Sequence, residues 1–162
     1  MLDRQNLISD AQAITATAVG TNVIRLSGSP ATLPTGQTTP FTTDTLGNTM
    51  DNDPAKSPEV DILITVTEQF AAAGAGTLTI ALEADDDPTQ ASATTLATTP
   101  AIGKATLVPG YQVRLQVPPG IAAADLHLGL RYTVATGPMT AGKITAGIIQ
   151  RDAKPTAPGV FK

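Results

Sequence analysis

Glu59-Val60-Asp61-Ile62-Leu63-Ile64-Thr65-Val66-Thr67-Glu68, a break at Ala72-Ala73-Gly74-Ala75-Gly76, then Thr77-Leu78-Thr79-Ile80-Ala81-Leu82-Glu83-Ala84: this stretch decides the fold. In its first half Ile62, Ile64 and Val66 fall on one face, with Leu63, Thr65 and Thr67 on the other. In its second half Leu78, Ile80 and Leu82 oppose Thr79, Ala81 and Glu83. A period of two is the signature of a strand with one buried face, because successive side chains of extended chain point to opposite sides. The Gly-containing break between the two halves predicts an antiparallel hairpin.

The same grammar continues toward the C-terminus. Asp85-Asp86-Asp87-Pro88 closes the second strand, and a less regular stretch runs through Leu96 and Ile102. The turn pair Pro109-Gly110 introduces Tyr111–Val117, where Val113, Leu115 and Val117 alternate with Gln112, Arg114 and Gln116. Pro118-Pro119-Gly120 ends that strand. Leu128, Leu130, Tyr132 and Val134 share one side of the next, Gly137-Pro138 breaks it, and Ile144–Gln150 forms the last. Toward the N-terminus the pattern fades. Residues 1–20 keep neither a helical nor a strict two-residue period and read as an extended arm, in which Ser9-Asp10-Ala11-Gln12 could open a short helix before β-branched Thr15, Thr17 and Val19. The first firm strand is expected at Thr21–Leu26.

Between Ser27 and Pro58 lies a Pro-, Thr-, Gly- and Asp-rich loop, far longer than the connections usual within a compact domain. Phe41, Leu46 and Met50 are its large apolar side chains, and with them the loop is a candidate contact element. The organisation expected is therefore an arm over 1–20, a β domain over 21–150 carrying the long loop 27–58, and a tail over 151–162. Six to eight short strands without a convincing helix make the fold all-β and antiparallel: a β-sandwich, a jelly roll or a closed barrel.

At 162 residues the chain suits one domain and needs no staple. It has no Cys, which removes disulfides, thiol nucleophiles and Cys-ligated metal and fits synthesis in a reducing cytoplasm. The net charge of −4 and ten scattered basic residues give no stripe for nucleic acid, and no apolar run suits a signal peptide or membrane span. Only 3% of residues are aromatic, so Leu, Ile and Val must fill the core.

The chemistry-bearing residues are sparse. His127 is the single His, so a serine triad or a His-based zinc site lacks its partners; a hydrogen-bonded or solvent-facing strand residue is expected there. Asp85-Asp86-Asp87 lacks the alternate spacing of a calcium loop and reads as a solvated turn, as does Asp51-Asn52-Asp53. Tyr132 follows the apolar face of its strand and is expected in the core, and Tyr111 at a strand edge. No nucleophile–base pair or phosphate loop emerges, so neither an enzyme nor a cofactor is expected.

Four stretches recur in an order that resembles the capsid cement, or decoration, proteins of short-tailed bacteriophages, a family first described in a Bordetella phage. They are Ser9-Asp10-Ala11-Gln12-Ala13 with Thr21-Asn22-Val23-Ile24; Ala75–Leu82 with Asp85-Asp86; Leu107-Val108-Pro109-Gly110-Tyr111-Gln112; and Leu130–Val134 through Gly137–Gly147. The loop Ser27–Pro58 departs from that family's pattern. The resemblance implies a jelly roll on the outer surface of a phage head, made in the host cytoplasm. Its implied partners are the major capsid protein and its own copies, as a homodimer ahead of a homotrimer, with no membrane or direct nucleic-acid partner. Leu2, Leu7 and Ile8 of the arm, Phe41, Leu46 and Met50 of the loop, and Phe161 of the tail are the candidate contacts. The competing reading is a carbohydrate- or receptor-binding β-sandwich of a virion, which would need a groove lined by Tyr111, Tyr132 or the acidic turns.

Overall fold

The computed structural model describes residues 7–25, 60–118 and 127–150. Every regular element in them is a strand: β1 Leu7–Ala13, β2 Ala18–Val19, β3 Ile24–Arg25, β4 Val60–Ala72, β5 Thr77–Asp85, β6 Thr94–Thr98, β7 Ile102–Gly103, β8 Gln112–Gln116, β9 His127–Ala135 and β10 Met139–Gln150. One sheet has the order β1-β10-β4-β8. The other runs β2-β9-β5-β6, with β3 also on β9 and β7 also on β5. All pairs are antiparallel.

When β2 is counted with β3, and β6 with β7, the ten elements reduce to eight strands. Their nested pairs are then first with eighth, second with seventh, third with sixth and fourth with fifth. An antiparallel ribbon rolled up in this way is a jelly roll, which settles the choice of architecture that strand count left open. The core lies between the sheets. Ile62, Ile64, Val66 and Phe70 of β4 with Ile144 and Ala146 of β10 face Leu78, Ile80 and Leu82 of β5 with Leu128, Leu130 and Tyr132 of β9, all buried. The alternation read in β4, β5, β8 and β9 is the one observed.

The hairpin expected from Glu59–Glu68 and Thr77–Ala84 does not form. β4 pairs with β10 and β8, whereas β5 pairs with β9, β6 and β7, so Ala73–Gly76 carries the chain from one sheet to the other. Periodicity fixes the face of each side chain but not the neighbouring strand, and two apolar faces are buried equally well by confronting each other across the core. The turn is tight: a Cβ on Gly76 would stand 2.8 Å from Ala72 Cβ and 3.1 Å from Met139 Sδ.

The arm also differs from expectation. Leu7–Ala13 is an edge strand on β10, not free chain or the start of a helix, and Ile8 and Ile14 are fully buried. Two register shifts in β1 and a φ of +44° at Ala11 interrupt its alternation, which is why the sequence there shows no clean period. Of the strand expected at 21–26, only Ile24–Arg25 is paired within the described residues. The loop 27–58 and the tail 151–162 lie outside the described residues.

A buried polar network ties β1 to the opposite sheet. Ser9 Oγ donates to Gln12 Oε1 at 2.8 Å and so accepts from the Tyr132 hydroxyl, also at 2.8 Å; Gln12 Nε2 donates to the Val19 carbonyl. Burial pushes the Tyr132 phenol from 10.0 up to about 12. Because the folded value lies above the unfolded one, the neutral phenol stabilises the fold below pH 10, and that contribution is lost as pH rises toward 12. Two units correspond to ~3 kcal/mol. Urea midpoints measured from pH 8 to pH 12 should therefore fall less steeply in Tyr132→Phe than in the parent; parallel curves would refute the linkage.

Candidate functional site

Two surfaces stand out. The first is the outer face of the β1-β10-β4-β8 sheet, where strand register aligns Leu7 with Gly147, Gly147 with Leu63 and Leu63 with Arg114. Leu7 and Leu63 are half-buried and Arg114 is exposed. Of the candidate contacts, Leu7 therefore belongs to an outer surface. Ile8, one residue on, faces the core at 0% exposure and is no contact residue; the strand's alternation sends neighbours to opposite sides. Leu2, Phe41, Leu46, Met50 and Phe161 lie outside the described residues.

The second surface is a polar cluster on the outer face of β5 and β9. Arg131 Nε reaches both Glu83 carboxylate oxygens, at 2.9 and 2.8 Å, and its Nη2 donates to the Gln90 carbonyl at 2.7 Å. Gln90 is buried with a φ of +55°, and its Nε2 donates to the His127 carbonyl. Its Oε1 has no hydrogen-bond partner and lies 3.0 Å from where a Cβ of Gly129 would stand, so the missing side chain of Gly129 admits the Gln90 amide. His127 Nδ1 is 3.0 Å from the Asp86 carbonyl oxygen, which makes it a hydrogen-bonded strand residue as expected. Together these contacts clamp the β5–β6 connection against the sheet.

Within the acidic run the three carboxylates differ. Asp86 and Asp87 are exposed, but Asp85 is buried and accepts from Asp87 N, Ser92 N and Ser92 Oγ at 3.2, 2.9 and 3.3 Å. Burial would raise the Asp85 carboxyl, yet these hydrogen bonds outweigh it and hold it below the usual carboxylate value. Asp86 is raised by its neighbour Asp85, and Asp87 is lowered by its hydrogen bonds with Thr89. Among the described residues no three His, Asp or Glu side chains converge as metal ligands. The run works as a structured turn whose oxygens are directed at its own backbone.

The sequence reading missed the Glu83–Arg131–Gln90 clamp. Its one local signal is Gly129, a glycine inside the apolar alternation of His127–Val134, since glycine in a strand marks a close approach by another part of the chain. Tyr132 is fully buried, as expected, and offers no exposed ring for stacking a sugar, and Tyr111 is half-buried against the core.

Compared with known families, the chain matches the family model described as Bbp16 over residues 8–148. The chain belongs to the Bbp16 family. The match starts within β1 and ends within β10, so the Bbp16 unit includes the N-terminal strand that closes the first sheet. The name Bbp16 points to a protein of a Bordetella phage. No curated protein matches the chain.

Proposed function

We propose that this Bbp16 protein is a capsid cement protein, which binds the outer surface of an assembled phage head and bridges major capsid subunits without catalysing a reaction. The observation that carries this reading is the family match across both sheets, over the same strands whose ordered stretches resemble phage cement proteins. The fold is suited to the task. Its 13-residue β4 and 12-residue β10 lie side by side at the centre of one sheet and form a long ladder.

The mechanism is linkage. A protein that binds the assembled shell and not its free subunits stabilises the shell by mass action, by about 2.7 kcal/mol at a hundredfold excess over Kd, and contacts to several subunits add avidity. Heads purified without the protein should bind it in sedimentation assays and rupture at a higher temperature once decorated. Failure of the protein to sediment with heads, or its absence from purified virions, would reject the reading. Removing residues 1–6 is the proper probe of the N-terminal contacts, since it leaves Leu7–Ala13 in its sheet; reduced occupancy is expected.

A further inference from the structure

The sheet edges are not equally protected. A regular, exposed edge strand is a template for pairing, and proteins blunt such edges with bulges, brevity, proline or charge. β1 carries two register shifts and a left-handed Ala11. β2, β3 and β7 are two residues each. β6 is bulged at Leu96, which has no partner between Thr95 opposite Glu83 and Ala97 opposite Leu82. β8 is different: it pairs with β4 from Asp61–Gln116 to Thr65–Gln112 without a shift, and its other edge carries no ladder among the described residues.

The core is also left incompletely covered on this flank. Tyr111, Val113 and Val117 pack against the core but stay half-exposed, whereas Leu115 between them is buried. Val113 and Leu115 lie opposite Ile64 and Ile62 on the inner side, with Gln112, Arg114 and Gln116 outside. Pro109 and Pro118 bracket the strand and limit any added ladder to the residues between them.

We propose that β8 pairs antiparallel with β8 of a second copy about a two-fold axis through Leu115. Residues 113–117, Val-Arg-Leu-Gln-Val, are self-complementary in that register. Val113 meets the second copy's Val117, Leu115 meets its own counterpart, and Arg114 meets Gln116. Apolar side chains face apolar ones, each Arg faces an amide, and no like charges oppose, as an isologous contact between chains of net charge −4 requires. The two four-stranded sheets become one continuous sheet, and the half-exposed valines are covered. This deepens the proposed function by naming the surface through which cement copies meet.

Analytical ultracentrifugation of the full chain should show a dimer. Gln116→Arg sets two like-charged pairs across the axis while facing Asp61 in its own sheet, so the fold is kept and Kd should rise about tenfold. Adding Arg114→Glu to that variant should restore dimerisation. The native chain has no cysteine, so a mixture of Arg114→Cys and Gln116→Cys chains should crosslink on oxidation while neither alone does so efficiently. A chain that stays monomeric at its highest soluble concentration, a dimer indifferent to Gln116→Arg with no mixed crosslink, or a crosslink to a capsid subunit instead of a second copy would each overturn the pairing. Head binding is measured in parallel: binding by a monomer defeats the pairing alone, and a β8 dimer that ignores heads defeats the cement reading alone.

Discussion

Gly142→Val is expected to cost about 3–5 kcal/mol, the sum of a strained left-handed backbone and an overpacked core, out of a domain stability of roughly 5–15 kcal/mol. Gly142 has a φ of +136°, and a Cβ built there would collide with the Phe70 ring at Cγ and both Cδ atoms. Phe70 is 2% exposed and cannot swing out to solvent without opening the core. Register shifts on either side of Gly142 bend β10 so that its backbone lies under the ring. Thermal melts should place Gly142→Val roughly 10 °C or more below the parent, on the usual relation between stability and Tm for a chain of this size. Gly103→Ala is the control, since nothing lies within 4 Å of its Cβ position, and its Tm should be unchanged. In a Gly142→Ala background, Phe70→Leu should recover part of the steric loss and none of the backbone loss. A valine variant that melts with the control would mean that the ring does not sit over Gly142.

Deletion of residues 1–14 should leave a chain without a cooperative fold. It removes two isoleucines at 0% exposure, Ile8 and Ile14, together with Ser9, the partner of the buried Tyr132 hydroxyl. At ~2–5 kcal/mol for each buried isoleucine, the loss is on the order of the whole stability of the domain. It also strips β10 of the strand on its open side. The single substitutions Ile8→Ala and Ile14→Ala separate packing from the loss of the strand: each should lower the urea midpoint with m unchanged. A truncated chain with the parent's midpoint and slope would return residues 7–14 to the status of a dispensable arm.

These two cases mark what could be read in the sequence. Ile62, Ile64 and Val66, or Leu78, Ile80 and Leu82, declare their buried face within five residues, because strand periodicity is local. The pairing of β4 with β10, Ile64 opposite Ala146, is not written in either segment, and local grammar favoured the wrong neighbour, β5. β1 was obscured for a different reason: its bulges and left-handed Ala11 erase the period by which a strand is recognised. At the polar cluster, Arg131 and Glu83 stand 48 positions apart and Gln90 lies in a turn, so only the gap at Gly129 hinted at them. The contacts proposed from Phe41, Leu46, Met50 and Phe161 rest on sequence alone.

The nested strand order also bears on synthesis. β1 emerges from the ribosome early, yet its partner is β10, with Leu7 opposite Gly147, and β4 too must wait for β10 on one side and β8 on the other. Neither of the two pairs that β10 makes in the first sheet, with β1 and with β4, can close during translation until β10 itself is out. A topology dominated by such distant pairings folds slowly, because loop closure must precede the contacts that reward it. A ribosome stalled before Met139 would hold β1 and β4 with their ladder edges toward β10 unpaired. Synthesis of β10, more than any local sequence signal, is the event that starts the final folding step.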